Sequence, residues 1–135
     1  MKELTLAATV ENIAAATDFV CEQLEALDCP VKAQMQISIA VDELFSNIAR
    51  YAYAPGAGEA TVRVEAAEEG VVITFIDRGR PYNPLTAAEP DTTLSAEERS
   101  PGGLGIFMVR RSMDEMNYRY EGGCNILSIR KKLRS

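Results

Sequence analysis

The stretch 37–53 constrains the fold more than any other part of the chain. It contains no Gly or Pro, and its apolar residues Ile37, Val41, Leu44, Phe45, Ile48 and Ala52 recur at helical spacing. At a helical turn of about 100° per residue these positions share one broad stripe, which predicts an amphipathic helix seated on a core. Glu43 and Asn47 stand four positions apart, so their side chains lie one turn apart on a neighbouring face, which Gln36 and the small Ala40 extend. Asp42 and Ser46 point away from that pair. A carboxylate stacked beside an amide supplies a proton acceptor and a neutral oxygen ligand. Spacing alone fits a solvated helix face equally, because acidic and amide residues usually meet water.

The elements around this helix follow from local pattern. Leu4, Leu6 and Ala8 alternate with polar or small residues and predict a short half-buried strand. Thr9 is then placed to cap a helix with Ile13, Thr17, Val20, Leu24 and Leu27 inside, and Asp28-Cys29-Pro30 separates it from the next. Residues 59–66 alternate, with Ala60, Val62, Val64 and Ala66 on one face. Residues 71–76 are apolar on both faces, as expected of an interior strand. Glu68-Glu69-Gly70 joins the two so tightly that they must run antiparallel. Residues 104–116 return to helical spacing, and 117–121 and 125–133 read as a hairpin about Gly122-Gly123. The order predicts an α+β two-layer sandwich, with helices on one face of a mixed, mostly antiparallel sheet.

At 135 residues the chain reads as a single domain, 1–135, able to bury a core. A formal net charge of -6 argues against direct nucleic-acid binding and leaves room for a basic protein partner. No apolar run is long enough to span a membrane and no secretory h-region is visible. Cys21, Cys29 and Cys124 are scattered without metal-ligand spacing, which suits idle thiols in a reducing cytoplasm. With no His in the chain, a His-based triad and phosphohistidine chemistry within it are excluded.

Two glycine-bearing segments give the Glu43–Asn47 pair its context. Asp77-Arg78-Gly79-Arg80-Pro81 follows directly on the interior strand. A carboxylate there can accept from an exocyclic amine, and Gly79 permits close approach of a flat base, although an ordinary turn uses the same residues. Gly102-Gly103-Leu104-Gly105-Ile106 opens a helix, where unpaired N–H groups make an anion site suited to phosphates. It is not a dinucleotide fingerprint, because a long loop and no strand precedes it. Residues 78–103 are aperiodic and rich in Pro, Gly, Thr, Asp and Glu, and loops of this length are more often functional than idle.

In combination these motifs resemble the ATP-binding domain shared by DNA gyrase, histidine kinases and MutL, the GHKL or Bergerat fold. More narrowly they resemble the stand-alone bacterial serine-protein kinases that act as anti-sigma factors. The likeness rests on Ala40-Val41-Asp42-Glu43-Leu44-Phe45-Ser46-Asn47-Ile48, on Asp77-Arg78-Gly79-Arg80-Pro81-Tyr82-Asn83-Pro84 and on Gly102-Gly103-Leu104-Gly105-Ile106-Phe107-Met108-Val109, and it covers nearly the whole chain. The resemblance implies ATP and Mg²⁺ as cofactors, with Asn47 on the metal and Glu43 as general base toward a serine hydroxyl. It implies Asp77 and Gly79 at the adenine, Gly102, Gly103, Leu104 and Gly105 at the phosphates, and an ATP lid over about 78–103, of which Leu85 to Pro101, too poor in apolar residues to pack alone, is expected to order partly when nucleotide binds. It also implies a small antagonist domain as substrate, a sigma factor or similar regulator as second partner, a homodimer, and a cytoplasmic location.

Two departures stand out. Pro81 replaces a further Gly of larger relatives, as is normal in the small kinase branch. Gly123-Cys124-Asn125 stands where relatives carry a Gly-Thr pair, which removes a hydroxyl expected near the phosphates. Two alternatives stay open: a nucleotide-gated binding module that transfers nothing, and a detached histidine-kinase ATP domain whose phosphoacceptor lies on another chain.

Overall fold

The computed structural model describes residues 1–86 and 103–133. The expected lid from 87 onward, its ordering by nucleotide, and Gly102 therefore lie outside the described residues. The order is β1 (Lys2–Ala7), a 3₁₀ turn (Val10–Asn12), α1 (Ile13–Ala26), α2 (Val31–Asn47) and a π-helical turn (Ile48–Ala52). There follow β2 (Glu59–Ala67), β3 (Gly70–Asp77), a second 3₁₀ turn (Pro84–Thr86), α3 (Gly103–Ser112), β4 (Glu115–Glu121) and β5 (Cys124–Lys132).

The sheet runs β1-β2-β3-β5-β4, and its four described pairings are all antiparallel. The α+β sandwich is present, but the mixed pairing expected of it is not. The reason is one of parity. Two helices intervene between β1 and β2, so the chain returns in the opposite sense. A single helix separates β3 from β4, which run the same way, but β5 inserts between them and pairs antiparallel with both.

Helices cover one face of the sheet. Val20 and Leu24 of α1, with Ile37, Val41, Leu44 and Phe45 of α2, meet Val62, Ile73, Phe75 and Ile129 from the strands, and Ile106 and Val109 of α3 close the layer. Strand β3 is central, as its two-sided apolar pattern predicts. Its inward Val71, Ile73 and Phe75 are buried, while Val72 and Ile76 on the other face are half-covered.

Several local expectations need correction. Thr9 makes no side-chain cap; the entry to α1 is instead fixed by the Asn12 amide, which donates to Ala7 O at 2.9 Å. Ala66 is exposed at the end of its strand. The regular helix stops at Asn47, and 48–52 form a wider π turn, which helical spacing of apolar residues cannot reveal. Helix α3 ends at Ser112 because Met116 takes strand register opposite Ile129. The hairpin turn is as read, with Gly122 and Gly123 at φ of 61° and 80°, values that suit Gly in a two-residue connection.

Candidate functional site

A cavity of about 530 Å³ opens beside the C-terminal half of α2. Its floor is apolar, from Leu44, Ile48, Phe75, Ile106 and Leu127, and its polar residues include Asn47, Asp77 and Asn125. A largely apolar cleft of this size with a few convergent polar groups is the usual form of a small-ligand site. The motifs read from sequence thus meet around one space, supplied by α2, β3, β5 and α3.

Asn47 lies on the cavity wall, and Glu43 stands one turn before it, with the Asn47 side chain beside its carboxyl group. Glu43 is half-buried. Burial raises its carboxyl above the ordinary range, while the nearby Arg50 guanidinium and the Asn47 side chain pull partly the other way. Its carboxylate rests against Gly105 in the first turn of α3: a Cβ on Gly105 would come within 2.2 Å of the Glu43 Oε1. Gly105 is therefore needed for α3 to pass over Glu43, a role beyond the phosphate contact expected of it. The same turn contains Gly103 and Leu104, whose N–H groups belong to a helix start that the helix itself leaves unpaired. Asp42 and Ser46 do diverge from the pair. Asp42 accepts the Thr17 hydroxyl and so ties α2 to α1, and Ser46 is buried.

Asp77 closes β3 with only 6% exposure. Its Oδ1 accepts from Gly79 N at 2.8 Å and from the Asn125 amide at 3.0 Å. Gly79 sits behind the cavity and not on its wall. A Cβ there would lie 2.3 Å from Ala52 O, so Gly79 is what lets this segment press against the π turn. Arg80 N donates to the same Ala52 O at 3.0 Å, and its guanidinium reaches Ala54 O. Tyr53 completes the joint, with its hydroxyl accepting from Arg78 N at 2.8 Å and donating to Glu59 O at 2.5 Å. The π turn thus turns backbone acceptors toward the segment after Asp77, which a continued α-helix would spend internally.

Sequence reasoning passed over one residue here. Asn125 pairs with Asp77 in the β3–β5 register and is equally buried, at 6% exposure. The chain's departure from a Gly-Thr pair thus falls beside Asp77, the residue expected at the adenine. The available signal was a polar residue at the head of an alternating face that continues through Leu127 and Ile129. Among the described residues no group of three or more His, Cys, Asp or Glu side chains could hold a metal ion.

Sequence and structure comparisons agree with this geometry. The family described as the histidine kinase-like ATPase domain matches residues 6–131. The serine/threonine-protein kinase BtrW of Bordetella bronchiseptica is 26% identical over 99 residues, covering 73% of this chain and 70% of that protein. The serine-protein kinase RsbW of Bacillus licheniformis is 29% identical over 97 residues, covering 67% of this chain but only 59% of that protein. In three dimensions, the RsbU and RsbW domains of a Mycobacterium tuberculosis protein superpose with a TM-score of 0.65 at 16% identity, over 98% of this chain and 33% of that one. A blue-light activated histidine kinase of Erythrobacter litoralis gives 0.59 at 22% identity, over 78% and 32%. With its sheet, its helix layer and its three motifs around one cleft, the chain belongs to the histidine kinase-like ATPase domain family.

Proposed function

We propose that the protein is an ATP-dependent protein serine kinase of the anti-sigma type. Its substrate in this reading is a serine of a small antagonist domain, and it also sequesters a sigma factor or similar regulator in a reducing cytoplasm. The observation that carries the reading is the adjacent Glu43–Asn47 pair beside a cleft that holds buried Asp77 on its wall. The names of the relatives, a serine/threonine-protein kinase in Bordetella and a serine-protein kinase in Bacillus, support the reaction class.

The residues fit a magnesium nucleotide. Asn47 presents a neutral amide oxygen, the donor type that a hard cation accepts alongside phosphate oxygens and water. Asp77 can take the exocyclic amine of adenine on the oxygen left free by Gly79 and Asn125. The first turn of α3, at Gly103, Leu104 and Gly105, with Gly102 before it, offers N–H groups to phosphate oxygens. Residues 78–103 serve as the lid in this reading. Bound Mg·ATP would supply the transferable phosphoryl group and neutralise part of its charge.

Glu43 then receives the proton of the attacking serine hydroxyl on a carboxylate oxygen. Its raised affinity for a proton makes it a better acceptor than an ordinary carboxylate, provided the pH stays above its own pKa. Asn47, beside that carboxylate, favours its ionised form.

The test is transfer of labelled phosphate from Mg·ATP to a purified antagonist domain, with Glu43→Gln alongside. Glu43→Gln should bind Mg·ATP like the parent but transfer roughly 10²- to 10⁴-fold more slowly. Transfer at the parent rate would remove Glu43 from the mechanism. Binding without transfer to any antagonist domain would favour a nucleotide-gated binding module.

A further inference from the structure

We infer that Asn125 is the positioning residue that makes the base end of the cleft selective for a 6-amino purine. The inference rests on the nucleotide-site reading above and identifies what sets its choice of base.

The Asn125 amide has one possible orientation. The two N–H groups of its Nδ2 serve three acceptors, Asp77 Oδ1 at 3.0 Å, Arg80 O at 2.9 Å and, sharing one of them, Gly79 O at 3.3 Å. Its Oδ1 accepts from Tyr82 N at 3.1 Å and from the Tyr118 hydroxyl. The Arg80 and Gly79 carbonyls can only accept, and the Tyr82 N–H can only donate. A flipped amide would therefore set N–H₂ against N–H and oxygen against two carbonyls. The surrounding backbone thus dictates which end of the amide meets Asp77.

That orientation matters because a carboxylate is symmetric and its terminal torsion is soft. One bond, from Gly79 N to Oδ1, fixes an atom but leaves the plane free to turn about it. A second donor arriving on the same oxygen from the neighbouring strand fixes the plane. Oδ2 makes no hydrogen bond within the described residues, and Asp77 stands on the cavity wall. The cleft therefore presents an oriented pure acceptor. Such a group matches an exocyclic amine and is left unpaired by a 6-oxo group, and unpaired buried polar groups carry most of the discrimination in binding sites.

The same amide also sets the wall. Arg80 and Tyr82, whose backbone it holds from both sides, line the cavity with Pro81 between them. Asn125 thus fixes both the acceptor and the surface against which a base would lie. A buried amide with no ligand function would need partners too, but it would have no reason to hold an acidic side chain and the cavity wall together.

The experiment compares ADP with IDP, which differ at position 6 and its neighbouring ring nitrogen, by calorimetry on the full chain. The parent should prefer ADP by about tenfold or more, and Asn125→Ala should bring the ratio close to one while weakening ADP. Asn125→Ser keeps one hydroxyl in reach of Asp77 but loses the arms to the loop, so its ratio should fall between the two. It carries the test if the alanine variant fails to fold. Equal weakening of ADP and IDP, with the ratio kept, would show a merely structural role and overturn the inference. A selective parent with a non-selective variant supports it. A parent that binds neither nucleotide, or shows no preference, sinks the reading of the cleft as an adenine site and this inference with it. Failure of the inference alone is recognised by a parent and variants that share one selectivity.

Discussion

At the residue scale the proposed kinase site divides into a pair assigned to the proton and a pair assigned to the base. Asp77→Asn tests the second. The new amide would turn its oxygen toward Gly79 N–H and the Asn125 amide, because both are donors to Oδ1 in the parent. Its own N–H₂ would then face the cleft, repelling an exocyclic amine and welcoming a carbonyl. ATP affinity should fall by roughly tenfold or more, and GTP or ITP should gain relative to it. Calorimetry with all three nucleotides decides this, and unchanged ATP affinity would place Asp77 outside the site. Glu43 makes a separate statement about stability. Its folded pKa is raised above the unfolded value, so its favourable contribution is complete below the unfolded carboxylate range. That contribution is lost as pH rises through the folded pKa. Glu43→Gln should therefore melt no lower than the parent at pH 7, and its advantage should shrink toward pH 4. A clear loss of Tm at pH 7 in melts at the two pH values would contradict the burial-driven shift. The pair itself was legible, because four-residue spacing on a helix is a geometric certainty. Asn125 was not, because strand register across 48 residues is invisible to local pattern.

At the scale of elements, the informative joint is the π turn after α2. Helical periodicity found the helix, its buried face and its partners Val41, Leu44 and Phe45, all buried. It overran the end of the regular helix, since the apolar spacing of Ile48 and Ala52 is compatible with either geometry. What settles the matter is the demand for Ala52 O by Arg80 N–H and the close passage of Gly79. Gly79 was likewise recognised as a close-approach residue, but its neighbour is backbone from this turn. Gly79→Ala should consequently cost about 1–3 kcal/mol by forcing that backbone apart, and it should weaken nucleotide binding by displacing Asp77. Denaturant melts together with calorimetry check both. A variant as stable as the parent would show that the two segments are not pressed together. Gly105→Ala differs in kind, because its Cβ meets a side-chain carboxylate. It should disturb Glu43 and phosphate transfer more than it disturbs stability.

At the scale of the whole molecule, the α+β class and the central place of β3 followed from alternation and from its two-sided apolar face. The two hairpin pairings, β2 with β3 and β4 with β5, followed as well, but the placing of β5 beside β3 did not, because it depends on contacts far apart in sequence. Ligand linkage is the measurement suited to this scale. Saturating the cleft with Mg·ATP at about 100 times its Kd should stabilise the fold by about 2.7 kcal/mol. Glu43→Gln should keep that gain in a thermal melt, and Asn47→Ala should lose most of it if its amide oxygen serves the metal. The order of strands, finally, bears on how the protein is made. Strand β3 leaves the ribosome with β2 ready to pair, while its other neighbour, β5, emerges only after α3 and β4. Asp77 must wait for Asn125, so the first half of the sheet can gather during synthesis while the cleft has no finished wall. Closing that distant pairing is a late, entropically costly step. A nascent chain stalled before β5 should bind no nucleotide, which makes nucleotide binding a report that folding is complete.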